Sequence, residues 1–243
     1  MKRTERRHLK ENELQMLARQ ARETFEERRR ETLAVIAIVA VVAIAAIGYY
    51  GWRQRVQAKA HTLLAEALAV RDARIGPPPA PGTPSTGGPS FATERERAQA
   101  GLTKFKVVAD AYPSTDAGLY ARYQQAATYM SLDNPTQAAA TYQQVVDRAG
   151  SNSIYGQMAR LGVAEAQARA GQYDQAISTF KELSMRKDGP LPVDGILMQL
   201  GRTYLVAGKR ADAQQTFNRL VEEFPESPYT SDARRELENL RKT

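Results

Sequence analysis

The sequence predicts an all-α protein, in which a single N-terminal transmembrane helix is followed by a superhelix of paired α-helices. The first observation is an uncharged apolar run of 20 residues, from Leu33 to Trp52. The second is a series of aromatic residues spaced 37, 38 and 37 residues apart: Phe105, Tyr142, Phe180 and Phe217. The third is a set of turn-forming residues that precede the last three aromatics: Asp133, Gly171 and Gly208.

The apolar run has the length and the ends of a membrane span. As a helix it measures about 30 Å at ~1.5 Å per residue, which matches the thickness of the hydrocarbon layer. Three aromatic side chains lie at its C-terminal end, where rings favour the headgroup layer: Tyr49, Tyr50 and Trp52. The sequence "YYGWRQR" stands where a signal peptide would carry small residues for cleavage. The interpretation is therefore an uncleaved signal anchor, residues 33–52.

Basic residues flank the run, and more of them lie just before it than just after it. The positive-inside rule therefore predicts a cytoplasmic N-terminus and a repeat domain on the other side of the membrane. Residues 1–32 are predicted to form a charged, helical cytoplasmic tail, which either extends the anchor or docks onto a partner or the membrane surface. The predicted membrane-interface residues are Arg28, Arg29, Arg30, Tyr49, Tyr50, Trp52 and Arg53.

Charge and composition exclude several classes of function. The net charge is +7, but the basic excess lies around the apolar run, and residues 91–243 carry nineteen basic against eighteen acidic residues. That distribution suits anionic lipid headgroups and not nucleic acid. Cysteine is absent, and the two histidines, His8 and His61, are isolated, so no metal site, cofactor or small-molecule substrate is expected. No convergent catalytic set occurs, and we expect the protein not to be an enzyme.

The aromatic residues belong to a repeated pattern. A small residue lies four positions before each aromatic, and an aliphatic residue lies three positions after it. A constant period of this kind predicts helix–turn–helix units whose recurring residues are buried. The small residues are Gly101, Ala138, Ala176 and Ala213, and the aliphatic residues are Val108, Val145, Leu183 and Leu220.

Between the anchor and the repeats lie two further segments. Residues 53–75 are predicted to form a juxtamembrane helix, and residues 76–90, "GPPPAPGTPSTGGPS", form a flexible loop. The loop is either a linker or an insertion inside a helix pair, and in the second case residues 53–75 supply the first helix of repeat 1. The repeat domain, residues 91–243, starts with the capping box of Thr93 and Glu96 and ends in a polar capping helix.

Two stretches carry a family resemblance. Residues 200–225, "LGRTYLVAGKRADAQQTFNRLVEEFP", resemble a tetratricopeptide repeat, and "GQYDQAISTFKEL", residues 171–183, is similar to the turn and second helix of another. The layout of tail, single span, helix and array resembles the ancillary subunits of the Sec translocon in the bacterial envelope. That resemblance implies a periplasmic array at the inner membrane, whose partners are translocon subunits, periplasmic chaperones or unfolded client chains.

A second resemblance suggests another role. The segment "EEFPESPYTSDARRELENL" is similar to C-terminal repeats of proteins that coordinate outer-membrane assembly or constriction. The alternative function is therefore an envelope organiser that binds one fixed partner in outer-membrane assembly, cell-wall synthesis or division.

In a tetratricopeptide array the first helix of each unit lines the concave face. The repeat register predicts that nine residues line a protein-binding groove there, and the methionines and tyrosines among them are adaptable contact residues. The predicted groove residues are Tyr120, Tyr123, Met130, Met158, Leu161, Glu165, Met198, Arg202 and Leu205.

Overall fold

The structure is a computed structural model that describes residues 29–76, 88–186 and 189–242. The chain divides into two compact units, Met1–Val56 and Gln57–Thr243. The described residues confirm the predicted all-α class, because helices account for all regular structure except two strands of two residues each. The elements in chain order are α1 (Arg29–Arg71), β1 (Arg74–Ile75), β2 (Ser90–Phe91), α2 (Glu94–Ala111), α3 (Asp116–Ser131), α4 (Pro135–Ala149), α5 (Ile154–Arg169), α6 (Tyr173–Ser184), α7 (Val193–Val206), α8 (Arg210–Glu223) and α9 (Thr230–Lys242).

In the first unit, α1 contains the apolar run. The large apolar side chains of this run, residues 33–52, are all exposed, from Leu33 at 48% to Ile47 at 73%. Within the described part of the chain, α1 is the one helix that is long and apolar enough to cross a membrane. The rest of the predicted cytoplasmic tail, residues 1–28, lies outside the described residues.

Several helices in the second unit begin at side-chain caps. The hydroxyl of Thr93 accepts a hydrogen bond from the backbone N–H of Glu96 at 3.1 Å, as the predicted capping box requires. The Glu96 carboxylate in turn accepts a hydrogen bond, at 3.2 Å, from the backbone N–H of Ala92, the residue before the cap. Thr115 and Ser153 cap α3 and α5 in the same way. These caps fix where the helices start.

The helix pairs turn at the predicted residues, and each of these residues adopts a left-handed conformation. Asp133, Gly171 and Gly208 have φ angles of 59°, 79° and 73°. The residue after each turn donates its N–H to a carbonyl near the end of the preceding helix, at 2.8–2.9 Å, and the accepting residues are Tyr129, Gln167 and Tyr204. This bonding satisfies carbonyls that the helix end would leave unpaired, and it reverses the chain.

The recurring aromatics are buried, as the period predicts. Phe105 and Phe217 are 0% exposed, Phe180 is 1% and Tyr142 is 5%. The apolar side chains form three successive clusters along the described part of the second unit, and consecutive helices from α2 to α9 pack on one another. The last helix, α9, buries Ala233 and Leu237 and exposes most of its charged residues, so it has the character of the predicted cap.

The part of α1 that belongs to the second unit packs in the first cluster. Ala60, Leu64 and Ala67 are buried together with Phe105 and Val108 of α2. The strands β1 and β2 pair in parallel, with Arg74 opposite Ser90 and Ile75 opposite Phe91. The packing of α1 against α2 and the pairing of β1 with β2 are expected if residues 76–90 are an insertion within a helix pair. Residues 77–87 lie outside the described part, and the domain boundaries stay a prediction.

Candidate functional site

A cavity of about 380 Å³ lies in the second unit where helices from three successive pairs approach one another. Its lining comes from α3, α5, α6 and α7. Met130, Glu165 and Arg202, which were predicted as groove residues, come together here. The repeat register therefore predicts part of the site, because these residues belong to the first helices of the α3–α4, α5–α6 and α7–α8 pairs.

One predicted groove residue is placed wrongly. Met198 is 1% exposed, and its two predecessors, Ile196 and Leu197, are equally buried. A helix that buries three consecutive residues is covered on several sides. The register position of Met198 is half-buried in the preceding unit, at Leu161, but is fully enclosed in α7. Met198 therefore belongs to the core and does not line an accessible groove.

The remaining predicted groove residues are partly buried around the cavity and along the array. The rings of Tyr123 and Tyr142 meet edge to face, with centroids 5.2 Å apart. Leu161 and Leu205 pack against the last core cluster, and Tyr120 packs against the first. Met158 is half-buried on α5. Their contact with a protein partner stays a prediction.

Glu165 is the carboxylate that lines the cavity. Burial raises the pKa of its carboxyl group, because desolvation disfavours the charged form. Burial also raises the pKa of Tyr123 and of Tyr142, and the Glu165 charge adds to both shifts. Within the described residues, no hydrogen bond or ion pair reaches the Glu165 carboxylate. The cavity thus holds a half-buried acid that is not paired with a cation of the described residues.

The two arginines of the cavity are engaged elsewhere. Arg169 donates from Nη1 to the carbonyl oxygen of Met130 at 3.2 Å. Arg202 donates from Nη2 to Oδ2 of Asp232 at 3.2 Å. Arg169 thus has a partner in the cavity wall and Arg202 has one on α9, and Glu165 is neither of these partners.

Sequence reasoning missed part of the wall. Tyr173 and Phe180 come from α6, the second helix of its pair, and Val206 is the last residue of α7. The prediction considered only the first helix of each pair. The second helix begins directly after the turn, so its first residues also lie beside the cavity. The position of Tyr173 two residues after Gly171 was the available signal.

The predicted membrane-interface residues lie partly in the described region. Arg28 is outside it, and Arg29 begins α1. Arg30, Tyr50 and Arg53 are exposed. The rings of Tyr49 and Trp52 are also exposed, with their centroids 6.1 Å apart. Their contact with a membrane stays a prediction.

Comparison with known proteins identifies the class of repeat. The family model of the tetratricopeptide repeat-like domain matches residues 23–219. The chain belongs to this family. The match includes the apolar run as well as most of the helix pairs. A tetratricopeptide repeat-like array is generally a non-catalytic fold that binds protein partners.

Solved structures show the same fold at low sequence identity. A glutamine-to-methionine variant of a putative kinesin light chain from Podosopora anserina, with nearly identical TPR-like repeats, aligns with a TM-score of 0.54 and 16% identity, covering 61% of this chain and 79% of that chain. The corresponding structure without the substitution aligns with a TM-score of 0.54 and 15% identity, covering 61% of this chain and 80% of that chain. No curated protein sequence matches this chain. The structural likeness supports the tetratricopeptide repeat-like fold alone.

Proposed function

We propose that this protein is a non-enzymatic, membrane-tethered scaffold that binds other proteins at the periplasmic face of a bacterial inner membrane. Its role there is accessory to protein translocation or to the transfer of emerging chains to chaperones. Its partners are translocon subunits, periplasmic chaperones or unfolded clients.

The cavity at Glu165 is the observation that carries the scaffold proposal. It spans residues of three successive helix pairs, and its wall combines one acid and two arginines with aromatic, thioether and aliphatic groups. Pockets that bind ligands combine apolar walls with a few polar groups in this way. An extended polypeptide is the ligand whose length suits a site shared by several repeats.

The exposed apolar helix supports the tether. A row of large apolar side chains at about half to three quarters exposure would be unfavourable in water, and a bilayer removes that penalty. The family match runs through this helix and on into the repeats, which supports treating the two as parts of one protein type.

Site-specific photocrosslinking in cells tests the proposal. A photoreactive amino acid at Val206, which lines the cavity and is 66% exposed, should trap partner proteins. The matched control is Val107 of α2, which is also a helical valine, 51% exposed, but lies outside the cavity. Crosslinks to channel subunits and nascent secreted chains from Val206 and not from Val107 are the expected result.

Other outcomes separate the alternatives. A single outer-membrane or cell-wall synthase partner at Val206 would favour the envelope organiser instead. Equal trapping at both valines, or none, would contradict a binding cavity. A periplasmic reporter fused to the C-terminus should be active, and activity of a cytoplasmic reporter would overturn the proposed sidedness.

A further inference from the structure

We propose that the cavity at Glu165 binds a lysine or arginine side chain of the polypeptide that the array holds. This inference rests on the proposed scaffold function and deepens it, because it names the chemical feature that the cavity recognises.

The Glu165 carboxylate is the first reason. It lines the cavity from α5, and no cation or hydrogen-bond donor of the described residues reaches it. A partly desolvated carboxylate is stabilised strongly by a cation brought within hydrogen-bond distance. A bound ammonium or guanidinium group would supply the partner that the chain itself does not.

The neighbouring arginines do not fill that role. Arg169 lies four residues after Glu165 on the same helix, a spacing at which side chains can pair. Its guanidinium instead donates to the carbonyl of Met130, and Arg202 pairs with Asp232. Among the described residues, the wall therefore holds two arginines with partners of their own and one carboxylate without one, so a basic ligand side chain finds an unfilled partner here.

The walls suit the remainder of a long basic side chain. Met130, Ala168 and Val206 provide apolar surface for the methylene stem. The Tyr173 ring adds an aromatic face of the kind that attracts a cation. A volume of about 380 Å³ lies within the range of small-ligand sites and leaves room for one extended side chain.

Binding of matched peptides to the full-length protein in detergent micelles tests the inference. The probes are fluorescent peptides of Gly, Ala, Ser and Leu that differ only in one central residue: lysine, arginine, norleucine or glutamate. Norleucine keeps the stem of lysine and removes the charge. Fluorescence anisotropy at neutral pH should give lysine and arginine peptides about tenfold lower Kd than the norleucine peptide, with glutamate the weakest.

Substitutions at Glu165 locate the recognition. Glu165→Gln should abolish the preference for lysine over norleucine, and Glu165→Lys should reverse it, so that the glutamate peptide binds best. Glu238→Gln removes an exposed acid on α9 and should leave the preference unchanged. Circular dichroism of each variant establishes that the helices are retained. The charge reversal keeps the test decisive even if one variant loses affinity for all peptides.

Three outcomes would overturn the inference: equal affinity for all four peptides, a lysine preference that survives in Glu165→Gln, or no binding of any peptide. Equal affinity leaves the scaffold function standing, because the array then binds chains without reading their charge. Absence of peptide binding together with partner crosslinks at Val206 also contradicts only the cationic pocket. Failure of the crosslinks as well removes both proposals.

Discussion

Gly201 of α7 lies directly against the ring of Phe217 of α8, so closely that a Cβ at residue 201 would stand 2.6 Å from Cζ of the ring. Phe217 is 0% exposed and occupies the last slot of the repeating aromatic series. The missing side chain thus allows the two helices of this pair to approach. A glycine in a helix interior is otherwise unfavourable, so packing is the reason for this one.

Gly201→Ala is therefore expected to destabilise the protein by about 1–3 kcal/mol, because the ring must shift inside a closely packed core. Urea unfolding monitored by circular dichroism measures the change. Gly101→Ala in α2 is the matched control, since a Cβ there would lie 3.9 Å from Phe105, in ordinary contact. That variant should gain roughly 0.5–1 kcal/mol from helix propensity. Similar effects in the two variants would contradict the packing argument.

Asp133→Gly is expected to stabilise the protein by about 0.5–1 kcal/mol. Asp133 has a φ of 59°, a conformation that is unfavourable for residues with a Cβ and that glycine adopts freely at the equivalent turns. Thermal unfolding should show a higher Tm. The reciprocal change, Gly171→Asp, should lower the Tm by a similar amount, because nothing crowds that position and only the backbone is affected. A fall in Tm for both variants would refute this account.

Gln167→Met is expected to raise the free energy of unfolding by about 1–2 kcal/mol. Among the described residues, the Oε1 atom of Gln167 is buried without a hydrogen-bond partner, and an unpaired acceptor of this kind costs stability. Methionine keeps the length of the side chain and removes the polar atoms. Gln144→Met on the exposed face of α4 is the control and should change stability by less than about 0.5 kcal/mol. A loss of stability in Gln167→Met would indicate a partner for that oxygen.

The stability of the protein should depend on pH through Glu165. Its pKa is raised in the folded state, so between the unfolded and folded pKa values the folded state binds more protons. The group's contribution is therefore fully present below the unfolded pKa and is lost as the pH rises through the folded pKa. Burial raises the pKa of Tyr123 and of Tyr142, so both phenols stay protonated over this range.

Glu165→Gln cannot ionise, and it should have a higher Tm than the unsubstituted protein at pH 7. The difference should shrink towards pH 4, and comparing the two proteins at each pH cancels the carboxylates whose pKa is lowered, such as Glu182 beside Arg160. Calorimetry across this pH range provides the measurement. A difference in Tm that is independent of pH would show that the Glu165 carboxyl is not desolvated.

The repeat period predicted the buried aromatics and the positions of the turns because both depend on short-range constraints. Phe180 and Gly171, for example, belong to one helix–turn–helix unit whose spacing is visible in the sequence. The binding surface was harder to predict, since the exposure of a side chain depends on the neighbouring units. Met198 occupies the same register as Leu161, but the apolar neighbours packed around α7 enclose it. Tyr173 reaches the cavity from a helix that the register argument did not consider.

The pairing of α1 with α2 has a consequence for how the chain acquires its structure. Ala60 and Phe105 share one core cluster although they are far apart in the chain, whereas the later helix pairs join residues separated by a single turn. Closing such a distant contact carries the largest loop-closure entropy in the array and slows its formation. That entropy grows only with the logarithm of length, by about 0.6 kcal/mol for each doubling. Each added residue therefore costs less in a long connection than in a short turn. The segment between β1 and β2 is consequently the place where insertions during evolution would reduce the stability of this protein least.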